Sequence, residues 1–168
     1  MILNKPDLVF QRIHTGNIKI SLEALKRMAK FSQTAPDASE AGGVLLGRFI
    51  INSDDIVIDE VTIPHKGDRR GRFSFVRNAV SHQKVIEKKW VQSCGTCNYL
   101  GEWHTHPEAF PLPSSRDIND WKRILREAKF YSESLFFVIV GTELVSVWEG
   151  FKESLEIKPL AQGGTQNV

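Results

Sequence analysis

Gly101–Trp121 reads GEWHTHPEAFPLPSSRDINDW, and most of the chemistry this chain can carry is written in it. Tyr99 to Trp103, just before and into it, is aromatic and apolar enough to form a buried strand. Side chains two apart on a strand share a face, so His104 and His106 project together and Thr105 points away. Two imidazoles on one face suit a transition metal such as zinc. The loop Pro107–Pro113 ends the strand, Ser114 stands where a helix N-cap is expected, and Asp117 falls in that helix's first turn. The loop can therefore bring Asp117 round as a third ligand. Three protein ligands leave a fourth tetrahedral position for water, the layout of a catalytic rather than a structural zinc.

Each of these features also has a plainer reading. A His pair on a strand often has no ligand. Ser114-x-x-Asp117 resembles a capping box, in which hydroxyl and carboxylate only satisfy backbone donors. Glu40, which opens Glu40-Ala41-Gly42-Gly43-Val44-Leu45-Leu46-Gly47, can be a solvated loop acid. Paired glycines before an apolar run, however, mark a tight entry into a buried strand, where an acid can reach a metal-bound water.

The chain around these residues mixes strands and helices. Short strands are expected at residues 8–13 and Ile18–Ile20, and a helix capped by Ser21 through about residue 33. A central strand covers Val44–Ile51 and a neighbour covers Ile56–Ile63. Residues 65–77 (HKGDRRGRFSFVR) are basic and partly strand-like. Their exposed edge, with Arg69, Arg70, Arg72 and Phe73, is the candidate substrate-docking flank, able to pair with an extended peptide. A helix over Val80–Trp90 should bury Val80, Ile86 and Trp90 and leave His82 at the surface. The helix from about 115 to 129 buries Ile118, Trp121, Ile124, Leu125 and Ala128, which anchors Asp117. Strands at Leu135–Val140 and Leu144–Trp148 follow, and a further one at Phe151–Ile157. Phe73, Trp90, Trp103 and Trp121 are read as core or as site walls.

With 168 residues, one domain over 1–160 and a flexible tail over 161–168 are expected. The composition, 41% apolar and 25% charged, is that of a globular protein. A net charge of +2 gives no reason to expect nucleic acid or membrane as partner. No apolar run reaches the roughly 18–20 residues a membrane span needs, and the N-terminus has no signal core. A cytoplasmic protein is expected. Cys94 and Cys97 read as free thiols, with a redox pair or a structural zinc shared with His104 and His106 as alternatives.

Glu40 with its Gly-Gly-x-Leu-x-Gly continuation, followed by His-x-His-x7-Ser-x-x-Asp, resembles the JAB/MPN (JAMM) zinc metalloprotease family. Every signature position is filled. Gly-Glu-Trp-His-Thr-His-Pro and Pro-Ser-Ser-Arg-Asp look most like its short bacterial branch, found in operons that encode ubiquitin-activating-like and conjugating-like proteins, some of them anti-phage systems of the CBASS type. The resemblance implies an α/β fold, the MPN (cytidine deaminase-like) sandwich, with a mixed β-sheet flanked by helices. It implies Zn2+ on His104, His106 and Asp117, Glu40 as general base and Ser114 as oxyanion donor. It also implies hydrolysis of the amide bond after the C-terminus of a ubiquitin or ubiquitin-like protein, freeing a conjugated target such as a CBASS nucleotidyltransferase. The operon's activating and conjugating enzymes are the further partners expected. Two alternatives remain: a non-catalytic MPN scaffold, and a zinc deaminase-like hydrolase. The full ligand set argues against the first. Cys94-Gly-Thr-Cys97, which lacks a preceding proline and comes before the His pair, argues against the second.

Overall fold

The computed structural model describes residues 7–162. In chain order the elements are β1 (Leu8–Gln11), β2 (Asn17–Ile20), α1 (Leu22–Ala29), β3 (Gly42–Phe49), β4 (Ile56–Val61), β5 (Arg69–Gly71), β6 (Ser74–Val76), α2 (Ala79–Gln92), β7 (Asn98–Thr105), α3 (Ser115–Glu127), β8 (Ser134–Val140), β9 (Val145–Phe151) and β10 (Ile157–Pro159). Eight strands form one mixed sheet in the order β1-β2-β4-β3-β7-β8-β9-β10, and β5 and β6 form a separate hairpin. Two pairings, β2 with β4 and β7 with β8, are parallel. The sheet curls until its ends meet. Gln11 N–H donates to Ala161 O at 3.1 Å, and the Arg12 guanidinium reaches Glu149 Oε1 at 3.0 Å.

Alternation along β8 divides the core. Phe136, Val138 and Val140 face one side, where Ala24, Leu25 and Met28 of α1 join them. Leu135, Phe137 and Ile139 face the other, under Trp121 and Leu125 of α3. Val44, Leu46 and Cys97 pack beneath Ile86 of α2. This is the expected α/β sandwich. Among the described residues no helix is long and apolar enough to cross a membrane. Where β3 meets β7 the register slips, and Gly101 (φ +137°) presses against β8 so closely that a Cβ would lie 1.8 Å from Phe136 O. Only glycine can take that position.

Several expectations are corrected. His82, expected at the surface, is fully buried, while Val80 (66% exposed) and Trp90 (46%) face solvent. The buried stripe of α2 runs through positions 82 and 86, a true helical spacing whose first member is polar. His82 tolerates burial because both ring nitrogens are satisfied. Thr62 Oγ1 lies 2.7 Å from Nδ1 and Asp68 Oδ2 lies 3.0 Å from Nε2. Phe73 is 73% exposed and is not core. The last expected strand is divided: Phe151 closes β9, a turn follows, and β10 begins only at Ile157. In the expected tail, Ala161 and Gln162 contact β1, and residues 163–168 lie outside the described residues.

Candidate functional site

β7 delivers His104 at its C-terminal end. Thr105 turns into the core, where its Oγ1 accepts from Ala41 N–H (2.9 Å) and donates to Gln33 Oε1 (3.1 Å). His106 lies one residue beyond β7, yet its N–H still donates to Val140 O at 3.0 Å, so its direction is set by β8. The loop after it is pinned to the turn between β8 and β9 by Thr142 N–H to Glu108 O (2.9 Å) and Leu144 N–H to Ala109 O (3.1 Å). That loop delivers Ser114, the N-cap of α3, with a complete capping box: Asp117 N–H donates to Ser114 Oγ and Ser114 N–H to Asp117 Oδ2.

The carboxylate that caps α3 also faces both imidazoles. Asp117 Oδ1 lies 3.4 Å from His104 Nε2, Asp117 Oδ2 lies 3.5 Å from His106 Nε2, and the two Nε2 atoms are 3.0 Å apart. Donors about 2.0–2.1 Å from one tetrahedral ion are separated from each other by about 3.3 Å, so this donor set fits a metal. Glu40 Oε1 completes the group, 3.9 Å from His104 Nε2, and Glu40, His104 and His106 by themselves form a cluster able to hold an ion. His106 Nδ1 lies 3.2 Å from Glu108 Oε2, an arrangement that leaves Nε2 to face the cluster.

The electrostatics follow from burial and neighbours. Burial raises the Glu40 carboxyl from its ordinary value, and the nearby imidazoles only partly offset it. Burial would also raise Asp117, but hydrogen bonds from His104 and His106, their charge, and the Ser114 hydroxyl hold it well below that range. Burial opposes the charged form of His106, but the hydrogen bond and charge of Asp117 prevail and raise its pKa. The group opens into a cleft of about 420 Å³, with β6 and residues around it on one wall and α3 on the other.

The chain matches the family described as prokaryotic homologs of the JAB domain over residues 22–150, which includes every residue of this group. It belongs to that family. It is similar to proteins named CD-NTase/cGAS isopeptidase: 34% identical over 158 residues to one from Escherichia coli (strain TW11681), covering 94% of this chain and 96% of the relative. It is 35% identical over 124 residues to one from Pseudomonas aeruginosa (strain BWHPSA011 / Pa011), covering 74% and 77%. Among solved structures, protein DSY2949 from Desulfitobacterium hafniense shares the fold, with a TM-score of 0.57 at 20% identity over 87% of this chain and 89% of that one.

In this JAB domain the basic flank is the β5–β6 hairpin, and its arginines differ in what they do. Arg69 is exposed. Arg70 is exposed as well, but its Nε donates to Glu40 O (2.8 Å) and its Nη2 to Ser39 O (3.1 Å). Arg72 donates to Ala35 O and Ala38 O at 3.2 and 3.4 Å. Phe73 stands on the cleft wall. The thiols take no part in the cluster. Cys97 packs under α2 beside the start of β7, at the far end of that strand from His104, which separates the proposed Cys-His zinc set. The sequence reading overlooked Glu102 and Arg77, an ion pair within the cleft wall. Strand alternation carried the signal for Glu102, which lies two before His104 on the same face.

Proposed function

We propose that this JAB domain is a zinc-dependent isopeptidase of the cytoplasm. It hydrolyses the amide bond after the C-terminus of a ubiquitin or ubiquitin-like protein, and so reverses conjugation to a target such as a CD-NTase in a CBASS-type anti-phage system. One observation carries the reading: two imidazoles and the Asp117 carboxylate converge at tetrahedral ligand spacings, with a buried Glu40 beside them. The names of the relatives supply the substrate class.

His104, His106 and Asp117 would hold the ion. A bound zinc supplies Lewis acidity towards the scissile carbonyl and lowers the pKa of a water to about 7. Glu40, raised by burial, takes the proton of the attacking water and returns it to the leaving amine. Ser114 Oγ stands at the α3 N-terminus and donates to Asp117 Oδ2 at 2.6 Å. Turned away from that carboxylate, its O–H is the donor for the developing oxyanion. An extended tail laid along β6, which among the described residues pairs only with β5, would lead its last carbonyl to the cluster, with Phe73 as a wall. Arg69, Arg70 and Arg72 give that flank a positive field for acidic partners.

The test uses two probes, a ubiquitin-like protein and a CD-NTase, each joined through its C-terminus to a reporter protein by an amide bond. Release of the reporter from at least one probe, stopped by chelation and restored by zinc, is expected. Binding without release would make the protein a scaffold. Cleavage by the Glu40→Ala protein at the wild-type rate would dispose of the mechanism.

A further inference from the structure

Glu40, unlike His104, has its backbone in neither β-sheet, and unlike Asp117 it has no helix to hold it. It precedes β3 and ends the irregular segment that follows α1. Its next neighbour, Ala41, is bonded to β7: Ala41 N–H donates to Thr105 Oγ1 (2.9 Å) and Ala41 O accepts from Thr105 N–H (2.8 Å). Among the described residues, the Glu40 backbone is bonded to the hairpin alone. Its N–H donates to Gly71 O at 2.7 Å and its carbonyl accepts from Arg70 Nε at 2.8 Å. Arg70 Nη2 takes the preceding carbonyl, so one guanidinium bridges two consecutive peptide units. The guanidinium also lies over the Phe31 ring, 5.7 Å from its centroid. This fixed fork is what Arg provides and Lys does not.

The hairpin is held at two further places. On β6, opposite Arg70, Phe75 packs on Gly42, where a Cβ would lie 2.7 Å from the ring. At its base, the buried Asp68 accepts from His65 N–H (2.6 Å), Asn78 N–H (2.7 Å) and the His82 ring. The same hairpin supplies residues 73–76 to the cleft wall. A rigid element therefore connects the wall a substrate touches to the backbone of the base.

We infer that the β5–β6 hairpin, through Arg70 and Gly71, is the positioning element for Glu40, so that the wall receiving the peptide and the base acting on it move as one body. The inference rests on the isopeptidase reading for its kinetic consequence only. Arg70 is then a positioning residue, not a docking residue. Its Nε and Nη2 each donate to a carbonyl of its own chain.

The test compares Arg70→Met and Arg70→Lys with wild type, by steady-state cleavage of whichever amide-linked probe the wild type cleaves and by amide hydrogen exchange. Arg70→Met should lower kcat roughly ten- to hundredfold with KM within about twofold, since misplacing a reacting group costs rate rather than binding. Arg70→Lys, reaching one carbonyl, should fall between. Zinc content should be unchanged. The Glu40→Gln protein should bind the probe with the same affinity whether or not Arg70→Met is added. Glu40 N–H should exchange at least tenfold faster in Arg70→Met while Ala41 N–H does not. A KM rise with kcat kept, or Glu40 N–H protection equal to wild type in both variants, overturns the inference. If Arg70→Met fails to fold, Arg70→Lys decides by the same readings. A wild-type protein that cleaves neither probe defeats the isopeptidase reading alone, because the exchange result stands without activity.

Discussion

Two places in this molecule set an imidazole beside a carboxylate, and they have opposite characters. At His82, every polar atom is used. Asp68 Oδ2 faces Nε2, Thr62 Oγ1 faces Nδ1, Val44 N–H donates to the same hydroxyl at 2.8 Å, and His82 is wholly buried. At His104 and His106 the nitrogens converge on one another and on Asp117 at the floor of a cleft. The imidazoles and carboxylates partly offset one another's charge, yet their donor atoms converge on one point, as a cation's ligands do. A satisfied imidazole stabilises a fold, whereas crowded, convergent donors call for a ligand. Proximity of His and Asp is therefore no sign of a site by itself. The sign is where the remaining lone pairs point.

Substitution separates the two most sharply in the cleft. Asp117→Ala or Glu40→Ala should reduce turnover to background, and only Asp117→Ala should also lose zinc, read by metal analysis of the purified proteins. Retained stoichiometric zinc in Asp117→Ala would remove that residue from the ligand set. Ser114→Ala should leave a trace, because losing one oxyanion donor raises a barrier by about 3 kcal/mol, roughly a hundredfold in kcat. The same change removes an N-cap worth about 1 kcal/mol, visible in urea unfolding.

His82→Leu should act on stability instead. It takes one partner each from Thr62 and Asp68 in the core, at a cost of about 3 kcal/mol, or a fall in melting temperature of roughly 6–12 °C. Zinc content should hold. A variant as stable as wild type but lacking zinc would invert the contrast drawn above.

The smallest expected effect is one of pH. Burial lowers the His82 pKa below the ordinary 6.5, and the Asp68 hydrogen bond only partly restores it. The unfolded chain then binds a proton near pH 6.5 that the folded chain refuses. Stability from this group is complete above that pH and is lost as pH falls towards the folded pKa, by about 1 kcal/mol per unit. Chemical unfolding at pH 7.5 and 5.5 should show the loss in wild type and a shallower one in His82→Leu.

How legible each region was follows from how local it is. His104, His106 and Asp117 lie on one strand, loop and helix start, so short-range rules nearly suffice: alternation along β7 aligns the imidazoles and the capping box turns the Asp117 carboxylate inward. Residues 42–49 and 134–140 were readable for the same reason, as apolar runs bounded by turn residues. α2 was misread because its buried stripe contains a histidine and its exposed face contains Val80, Val91 and Trp90. Hydrophobicity alone selects the wrong face when a polar side chain finds both its partners inside. The hairpin was recognised as basic and strand-like, yet what Arg70 grasps was invisible, because its partners are carbonyls thirty positions away, and carbonyls carry no sequence signature.

By itself, then, the sequence determined the element types, the pair of imidazoles, the acid at the helix start and the resemblance that named the family. Each of these depends on residue types spaced within a turn or two of chain. The tertiary structure alone decided that antiparallel pairing of β3 with β7 sets Glu40 beside His104, that His82 is sealed, and that two arginines of the docking flank hold their own backbone. Those outcomes depend on register and on competition among distant donors for the same acceptors, which no local pattern encodes.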